Sequence, residues 1–222
     1  MPADYETFFS EYFYTSTSYG PLDFGKPGLK DVTKYKVSAK LQALYTNTNL
    51  SSFLVCLTFD PTLVQDYGAP TEAWIQTDYD EESTSLMMTL YIVNKTSTRR
   101  PESLSLVFQP PLSDMTVNKL GTVISVMDVV QNGSQHLHGQ FRGGLAVTNR
   151  DDPHSVMNVI ALDTTITCIG PANPFPTPVT KPDIGSGFAS NIYNNIYGTN
   201  YIMWYPYLPE DASSKYRYRM QL

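Results

Sequence analysis

The stretch SQHLHGQFRGG carries two of the three histidines in this 222-residue chain, His136 and His138, separated by one residue. In a β-strand, side chains two positions apart project from the same face, so both imidazoles could bind one metal ion. A third ligand could come from His154 in DDPHSVMN. The spacing thus allows two interpretations, a metal centre or a polar strand face that happens to carry histidines.

This histidine arrangement resembles the metal motif of the cupins, a family of jelly-roll enzymes and binding proteins. The cupin motif also has a glutamate shortly after the first two histidines, and here that region holds only Gln140, Phe141, Arg142, Gly143 and Gly144. We therefore favour a polar strand face, on which the histidines would titrate near neutral pH at a subunit contact. A cupin-like metal enzyme that uses His136, His138 and His154 is the least favoured functional alternative.

A cluster of carboxylates lies in TDYDEES, between Asp78 and Glu82. Such a cluster could bind calcium between subunits, but it lacks the glycine and the ligand spacing of an EF-hand. We expect a solvated loop between two strands. The sequence also contains no phosphate-binding loop, nucleophile elbow or zinc-protease motif. We therefore predict no enzymatic activity, no catalytic residue and no cofactor, with calcium at subunit interfaces as the alternative.

The composition indicates a surface that faces protein more than water. The net charge is −6, and charged residues make up 16% of the chain, below the roughly 25% of typical soluble domains. The chain has 16 tyrosines against 10 phenylalanines, and tyrosine suits contacts that are apolar on one side and wet on the other. These features favour a protein that makes extensive subunit contacts.

Both cysteines lie inside apolar runs, Cys56 in FLVCLTF and Cys168 in TITCIGP. Two buried free thiols are favoured over a disulfide, because a disulfide framework normally has more cysteines. The acidic start MPADYETFFSEYF is unlike a secretory signal peptide. No apolar run approaches the roughly 20 residues that span a bilayer. We expect synthesis in the cytosol and no membrane span.

Eight runs with strand-like patterns lie between residues 35 and 170. The first, YKVSAKLQALY, alternates strictly, so that Leu41, Ala43 and Tyr45 are predicted on one face. The others are SFLVCLTFDP, EAWIQT, SLMMTLYIVN, SLSLVFQ, GTVISVMDVVQ, HLHGQFRGGLAVTN and SVMNVIALDTTITCIG. Turn-rich stretches separate them, and the patterns predict no long helix. We therefore predict an all-β fold, an antiparallel eight-stranded jelly-roll sandwich over residues 31–170.

The two ends of the chain differ from this middle part. Residues 1–30 are rich in Tyr and Phe without a sustained period, and residues 171–222 are dense in Pro, Asn and Tyr. Disordered tails are usually poor in aromatics. We therefore predict two extended arms that lie against protein, the C-terminal one on a neighbouring subunit, with a tail folded back on its own sandwich as the alternative. The predicted contact residues are Phe188, Ile192, Tyr193, Tyr197, Tyr201, Trp204, Tyr205 and Tyr207.

The last ten residues, SSKYRYRMQL, alternate basic and aromatic side chains. Lys215, Arg217 and Arg219 could contact phosphates while the interleaved tyrosines stack on bases. The same residues could bond to carboxylates of a neighbouring subunit, which the acidic balance of the chain favours. Nucleic-acid contact is therefore the second interpretation of this end.

A central eight-stranded β-domain between an aromatic N-terminal segment and a Pro/Asn/Tyr-rich C-terminal arm resembles a single jelly-roll capsid protein of small icosahedral, picorna-like RNA viruses. The resemblance covers the architecture from about Lys30 to Pro178, where NVIALDTTITCIGPANPFPTP is similar to the end of such a core. It implies a coat subunit located in the virion, and in the host cytoplasm during assembly. The implied partners are copies of itself, other capsid proteins, the viral RNA and a host receptor.

A second class of function stays open beside the capsid. A carbohydrate- or receptor-binding β-sandwich, such as a viral projection domain, would stack exposed Trp74 or Trp204 on sugar rings. Glycan binding without large assemblies would favour this class over a shell protein.

Overall fold

The computed structural model describes residues 37–96, 103–119, 121–128, 139–140, 144–149, 152, 154–164, 166–172, 183–194 and 212–221. The strands are β1 (Lys40–Thr46), β2 (Ser52–Thr58), β3 (Glu72–Asp80), β4 (Ser85–Lys95), β5 (Ser103–Phe108), β6 (Leu112–Lys119), β7 (Thr122–Ser125), β8 (Gly139–Gln140), β9 (Leu145–Asn149), β10 (Val156–Ala161), β11 (Ile166–Ile169), β12 (Phe188–Asn194) and β13 (Ala212–Gln221). One α-helix, α1, spans Pro61–Tyr67, and a 3-10 helix spans Ile184–Ser186.

The strands form two antiparallel sheets. The larger sheet has nine strands in the order β1-β2-β3-β4-β13-β10-β9-β6-β7, and the smaller has four in the order β5-β12-β11-β8. Side chains of both sheets meet in two apolar clusters between them. The prediction of an antiparallel all-β fold is confirmed. A jelly roll has two four-stranded sheets, and the sheets built from the described residues have nine and four strands.

The described residues contain five more strands than the sequence patterns predict. Two predicted runs are each divided, HLHGQFRGGLAVTN into β8 and β9, and SVMNVIALDTTITCIG into β10 and β11. The prolines of QPPLSD predict a turn, but β6 begins within this stretch, at Leu112. The strand is stabilised by Met115 and Val117, which face the core at alternate positions. The last two, β12 and β13, lie within residues 171–222, the predicted C-terminal arm.

Both strands that the structure describes in that arm are inner strands of the chain's own sheets. β12 lies between β5 and β11, and β13 lies between β4 and β10. Phe188 and Ile192, predicted as subunit contacts, are 2% and 0% exposed in the core. For these segments the structure shows the alternative, a tail folded back on its own sandwich. The backbone of Tyr193 lies in β12, and Tyr197, Tyr201, Trp204, Tyr205 and Tyr207 lie outside the described residues, as do residues 1–30.

The first strand departs from the strict alternation that its sequence suggests. The pairing of β1 with β2 shifts register between Leu41 and Ala43, which is a β-bulge. As a result Leu41 pairs with Leu57 and Leu44 with Val55, on the face that continues into the core. Ala43 and Tyr45 project from the opposite face, so the predicted shared face of Leu41, Ala43 and Tyr45 is wrong.

Helix α1 is short because its sequence contains both a start and a stop signal. The Asp60 side chain accepts a hydrogen bond from the Thr62 backbone N–H at 2.9 Å, and Pro61 occupies the first turn. Gly68 ends the helix in the left-handed conformation with φ of 65°. The helix therefore connects β2 to β3 in about two turns and leaves the strands as the dominant elements.

Candidate interaction surface on the nine-stranded sheet

One face of the nine-stranded sheet packs on the smaller sheet, and the opposite face, here called the outer face, points away from it. Strand register identifies the outer-face residues, because directly paired residues project from the same side of a sheet. One row of paired residues crosses five strands from β1 to β13 through Ala43, Cys56, Trp74, Tyr91 and Lys215. Aromatic rings and a cation are thus placed side by side across neighbouring strands.

Two aromatic rings on this face lie nearly parallel. The ring centroids of Tyr45 and Trp74 are 6.4 Å apart with an interplanar angle of 18°. The Trp74 indole N–H donates a hydrogen bond to Glu72 Oε2 at 2.9 Å, which fixes the orientation of the ring. Tyr45 is 55% exposed and Trp74 is partly buried. The pair therefore presents an oriented aromatic surface to solvent.

The two cysteines are buried free thiols, as predicted. Cys56 belongs to the outer-face row between Ala43 and Trp74 and is 5% exposed. Burial, and then the nearby charge of Glu72, raise the pKa of the Cys56 thiol. A raised pKa keeps the thiol protonated and poorly nucleophilic at neutral pH, which assigns Cys56 a packing role within this row.

Polar side chains on β2, β3 and β4 form a continuous hydrogen-bonded chain beside these rings. The Tyr91 hydroxyl donates to Gln76 Oε1 at 3.3 Å, and Gln76 Nε2 donates to Asp78 Oδ2 at 2.8 Å. The Ser52 hydroxyl donates to Asp78 Oδ1 at 2.6 Å. Each planar group is therefore held in one orientation by its neighbours.

The three predicted basic residues share the outer face of β13, where all three are exposed. Arg217 binds Asp163 through two side-chain hydrogen bonds, 2.8 Å from Nε to Oδ2 and 2.9 Å from Nη2 to Oδ1. The hydrogen bonds from Arg217 lower the pKa of the Asp163 carboxyl, and Asp163 raises the pKa of Arg217. Lys215 Nζ lies 5.6 Å from the centroid of the Tyr91 ring, in cation–π geometry.

Tyr218, which lies between two of these cations in the sequence, does not share their surroundings. Tyr218 faces the core and is 1% exposed, because alternate residues of a strand face opposite sides. The aromatic partner of the basic row is instead Tyr91, which β4 contributes. The predicted basic-aromatic end thus exists as a surface, with its aromatic group supplied by another strand.

At one side of the sheet, β1 is an edge strand with exposed apolar side chains. In the described part of the chain it pairs with β2 alone. The exposed fractions are 65% for Leu41 and 60% for Leu44 on one face, and 55% for Tyr45 on the other. Apolar side chains this exposed on a sheet edge are a recognised liability for unwanted pairing unless the edge is used for a contact.

The predicted metal and calcium ligands are placed as follows. His136 and His138 lie outside the described residues, and His154 is exposed in a turn, where its backbone N–H donates to Asp152 Oδ1 at 3.1 Å. Within the described ranges, no group of three or more His, Cys, Asp or Glu side chains could hold a metal ion.

The carboxylate cluster of Asp78 to Glu82 ends β3 and forms the turn into β4. Asp80 accepts hydrogen bonds from the Glu82 backbone N–H at 3.1 Å and from the Ser83 hydroxyl at 2.6 Å. The hydrogen bond from Ser83 is the main reason that the pKa of Asp80 is lowered. These contacts match the predicted strand-connecting loop, in which Asp80 stabilises its own turn.

Comparisons with known proteins identify no relative. Neither the protein-family models, nor the curated proteins, nor the solved structures include a significant match to this chain. In the part of the chain that the structure describes, no helix has the length and apolar character needed to cross a membrane.

Sequence reasoning singled out Trp74 and the three basic residues separately, and the structure brings them onto one face. It missed Tyr45, Glu72, Gln76 and Tyr91 as their neighbours. Alternation along β3 could have grouped Glu72, Trp74, Gln76 and Asp78 on one side of that strand. The position of β13 beside β4, which adds the cations, depends on a pairing between residues more than a hundred positions apart.

Proposed function

We propose that the chain is a structural subunit of an icosahedral viral capsid and that subunits join through the β1 edge of the nine-stranded sheet. Its partners are copies of itself or other capsid proteins, and its place is the virion. The proposal includes no enzymatic activity. The observation that carries it is the exposure of Leu41 and Leu44 on β1, which is an edge strand among the strands that the structure describes.

The geometry of β1 supports an edge contact of a definite kind. An edge strand offers main-chain donors and acceptors to a strand of another chain, and side-chain pockets add specificity. Leu41 and Leu44 continue the apolar face formed by Leu57 and Val55 on β2. A strand added at β1 would therefore cover the apolar side chains and satisfy the main chain in one step.

Composition supports many such contacts in one particle. The chain combines 16 tyrosines with a charged fraction of only 16%, as expected for a surface that is largely covered by neighbours. Closed symmetry repeats each contact, so contacts that are individually weak give a stable shell.

The test compares two lysine substitutions at exposed apolar positions. Leu44→Lys places a charge on the β1 edge, and Val156→Lys places one on β10, an inner strand where Val156 is 38% exposed. Light scattering and negative-stain microscopy of the same fractions would give the mass and shape of each protein. We expect closed particles for the wild type and Val156→Lys, and dispersed subunits for Leu44→Lys.

Two results would overturn the proposal. The first is a wild-type chain that stays a monomer or small oligomer at high concentration and that is also not incorporated into particles when other coat chains are co-expressed with it. Particles that form equally well with Leu44→Lys would show that β1 is not the contact.

A further inference from the structure

We infer that the outer face binds an acidic carbohydrate, a sugar that carries a carboxylate or a sulfate group. A sugar ring stacks on Trp74 and Tyr45, its hydroxyls donate to Glu72, a neighbouring sugar unit donates to Asp78, and Lys215 receives the anionic group. A single chain supplies all of these residues, so the inference does not rest on assembly and goes beyond the proposed function.

The aromatic pair fits the apolar face of a sugar ring. The Tyr45 and Trp74 rings are 18° from parallel, and Tyr45 is more than half exposed. Tyrosine and tryptophan combine a large apolar surface with a polar tip, which suits a ligand with apolar faces and polar edges. The hydrogen bond from Trp74 to Glu72 fixes the indole before binding, which reduces the entropy lost on binding.

Carboxylates beside the rings suit a ligand rich in hydroxyl groups. An ionised carboxylate accepts about four hydrogen bonds. In the described contacts Glu72 accepts from Trp74, and Asp78 accepts from Ser52 and Gln76. Glu72 keeps acceptor capacity for the hydroxyls of a sugar stacked at Trp74. Asp78, four positions further along β3, keeps it for a neighbouring sugar unit, and the existing bonds hold both carboxylates in place.

The cations define where the anionic group lies. Arg217 is already paired with Asp163, whereas Lys215 stands over the Tyr91 ring and is exposed. β13 is two strands from β3, so Lys215 lies about 10 Å from the Trp74 position across the sheet. A sugar stacked at Trp74 can therefore place a carboxylate or sulfate of its own or of the next sugar at Lys215.

The same face is poorly suited to RNA. Glu72 and Asp78 lie on the same face of β3 as Trp74, on either side of it along the strand, and would repel a phosphate backbone; the whole chain has a net charge of −6. A nucleic-acid groove tracks the backbone with cations along its length. Here three cations occupy β13 and Lys40 lies on β1 at the edge of the sheet, so the described residues form no continuous track of cations along the face.

The test measures binding of three trisaccharide-sized or smaller probes to the full chain on a biosensor: sialyllactose, sulfated lactose and lactose. We expect at least one acidic probe to bind about tenfold more tightly than lactose, the effect of one charge-assisted hydrogen bond. Which acidic probe prefers the site identifies the carboxylate or the sulfate as the recognised group. An oligouridylate serves as the competing RNA probe.

Substitutions assign the binding to these residues. Lys215→Gln should bind the acidic probe no better than lactose, and its binding of lactose should not change. Trp74→Leu should weaken all three sugars. Lys119→Gln, near the far edge of the same sheet, is the matched control and should bind like the wild type. Leu44→Lys should also bind like the wild type, which separates this inference from the assembly proposal.

Three results would overturn the inference. The first is that no sugar binds, or that the acidic probes bind no better than lactose. The second is that Lys215→Gln, with an unchanged thermal melting curve, keeps the full preference for the acidic probe. The third is that the oligouridylate binds and none of the sugars displaces it.

Discussion

β1 and β13 belong to the same sheet and differ in almost every other respect. β13 has a neighbour on each side, and its inward residues Tyr218 and Met220 are 1% and 8% exposed. β1 has one neighbour among the described strands, and its apolar residues Leu41 and Leu44 are 65% and 60% exposed. β13, which the sequence predicts as part of an extended arm, is therefore an inner strand with a buried face. β1, the first predicted strand, lies at the edge of the sheet with its apolar side chains exposed.

The cause of the difference is cover from the smaller sheet. Leu44, Val55, Ile75 and Leu90 are paired in one row on the same face. Leu90 is 4% exposed and lies in a core cluster with Ile192 of the smaller sheet, whereas Leu44 is 60% exposed at the end of the row. One apolar row therefore passes from core to surface within four strands.

A buried hydroxyl cluster further ties β13 to the smaller sheet. The Tyr218 hydroxyl donates to Ser190 Oγ at 3.1 Å, and the Thr164 and Ser190 hydroxyl oxygens are 2.7 Å apart. A cavity of about 20 Å³ beside them has room for one water molecule. Polar groups this deeply buried need such partners, so the cluster specifies one position for β13.

The largest effect should follow removal of residues 212–222. The deletion separates β4 from β10 and removes Tyr218 and Met220 from the core. We expect the truncated chain to lose its folded far-UV circular dichroism spectrum and to become insoluble. A soluble product with a native spectrum would show that β13 is an accessory strand and would break the comparison.

Single aromatic substitutions should sharpen the contrast. Tyr218→Ala should lower the free energy of unfolding by about 3–5 kcal/mol, the usual cost of removing a buried aromatic ring. Tyr45→Ala, at an exposed position of β1, should change it by about 1 kcal/mol or less. Urea unfolding of both variants measures the difference, and equal effects at the two positions would contradict the assigned burial.

Two leucines of the shared row give a closer match. Leu90→Ala should cost about 2–5 kcal/mol through loss of burial and a residual cavity. Leu44→Ala in dispersed subunits should change stability by no more than about 0.5 kcal/mol. Chemical denaturation of each variant is the measurement, and a large effect at Leu44 in dispersed subunits would mean that its side chain is covered within one chain.

The smallest effect concerns the ion pair on the outer face of β13. Arg217 lowers the pKa of Asp163, so the pair stabilises the fold above the ordinary carboxyl pKa of 3.8 and loses this contribution as the pH falls through the lowered value. The exposed fractions of 50% for Arg217 and 27% for Asp163 mean that solvent screens the pair, so its contribution to stability is small.

Asp163→Asn should therefore destabilise the protein slightly at pH 6 and less at pH 2, because the contribution of the pair falls as the pH falls through the lowered pKa of Asp163. Urea midpoints of the variant and the wild type at the two pH values test this. An equal loss at both pH values would attribute the effect to packing rather than to the charge.

Local patterns were sufficient to predict strands at β2, β3 and β4, and for β2 they also predict which residues share a face. Phe53, Val55 and Leu57 of β2 are predicted on one face, and the register confirms it. The buried free thiols were also predictable, since each cysteine lies inside an apolar run. These features depend on neighbours in sequence, which periodicity reports directly.

Long-range pairing explains what sequence reasoning missed. The pattern of SSKYRYRMQL alone predicts a basic-aromatic tail. Its pairing with β4 and β10 cannot be predicted from this segment, because the pattern does not indicate which strands lie beside it. The β-bulge after Leu41 also could not be predicted. One extra residue reverses the faces to which the following side chains of β1 point, while the alternation of apolar and polar residues in the sequence stays the same. The outer face could not be predicted for the same two reasons, because it combines residues of β1, which contains the bulge, with residues of β13, which is placed by long-range pairing.

Hydrogen–deuterium exchange tests the contrast between the two strands most directly, when it is measured on dispersed subunits and on assembled particles of the same protein. We predict that β13 amides exchange only with global unfolding in both states, and that β1 amides exchange rapidly in subunits and become protected on assembly. Slow exchange of β1 in dispersed subunits, or rapid exchange of β13 in either state, would contradict the account.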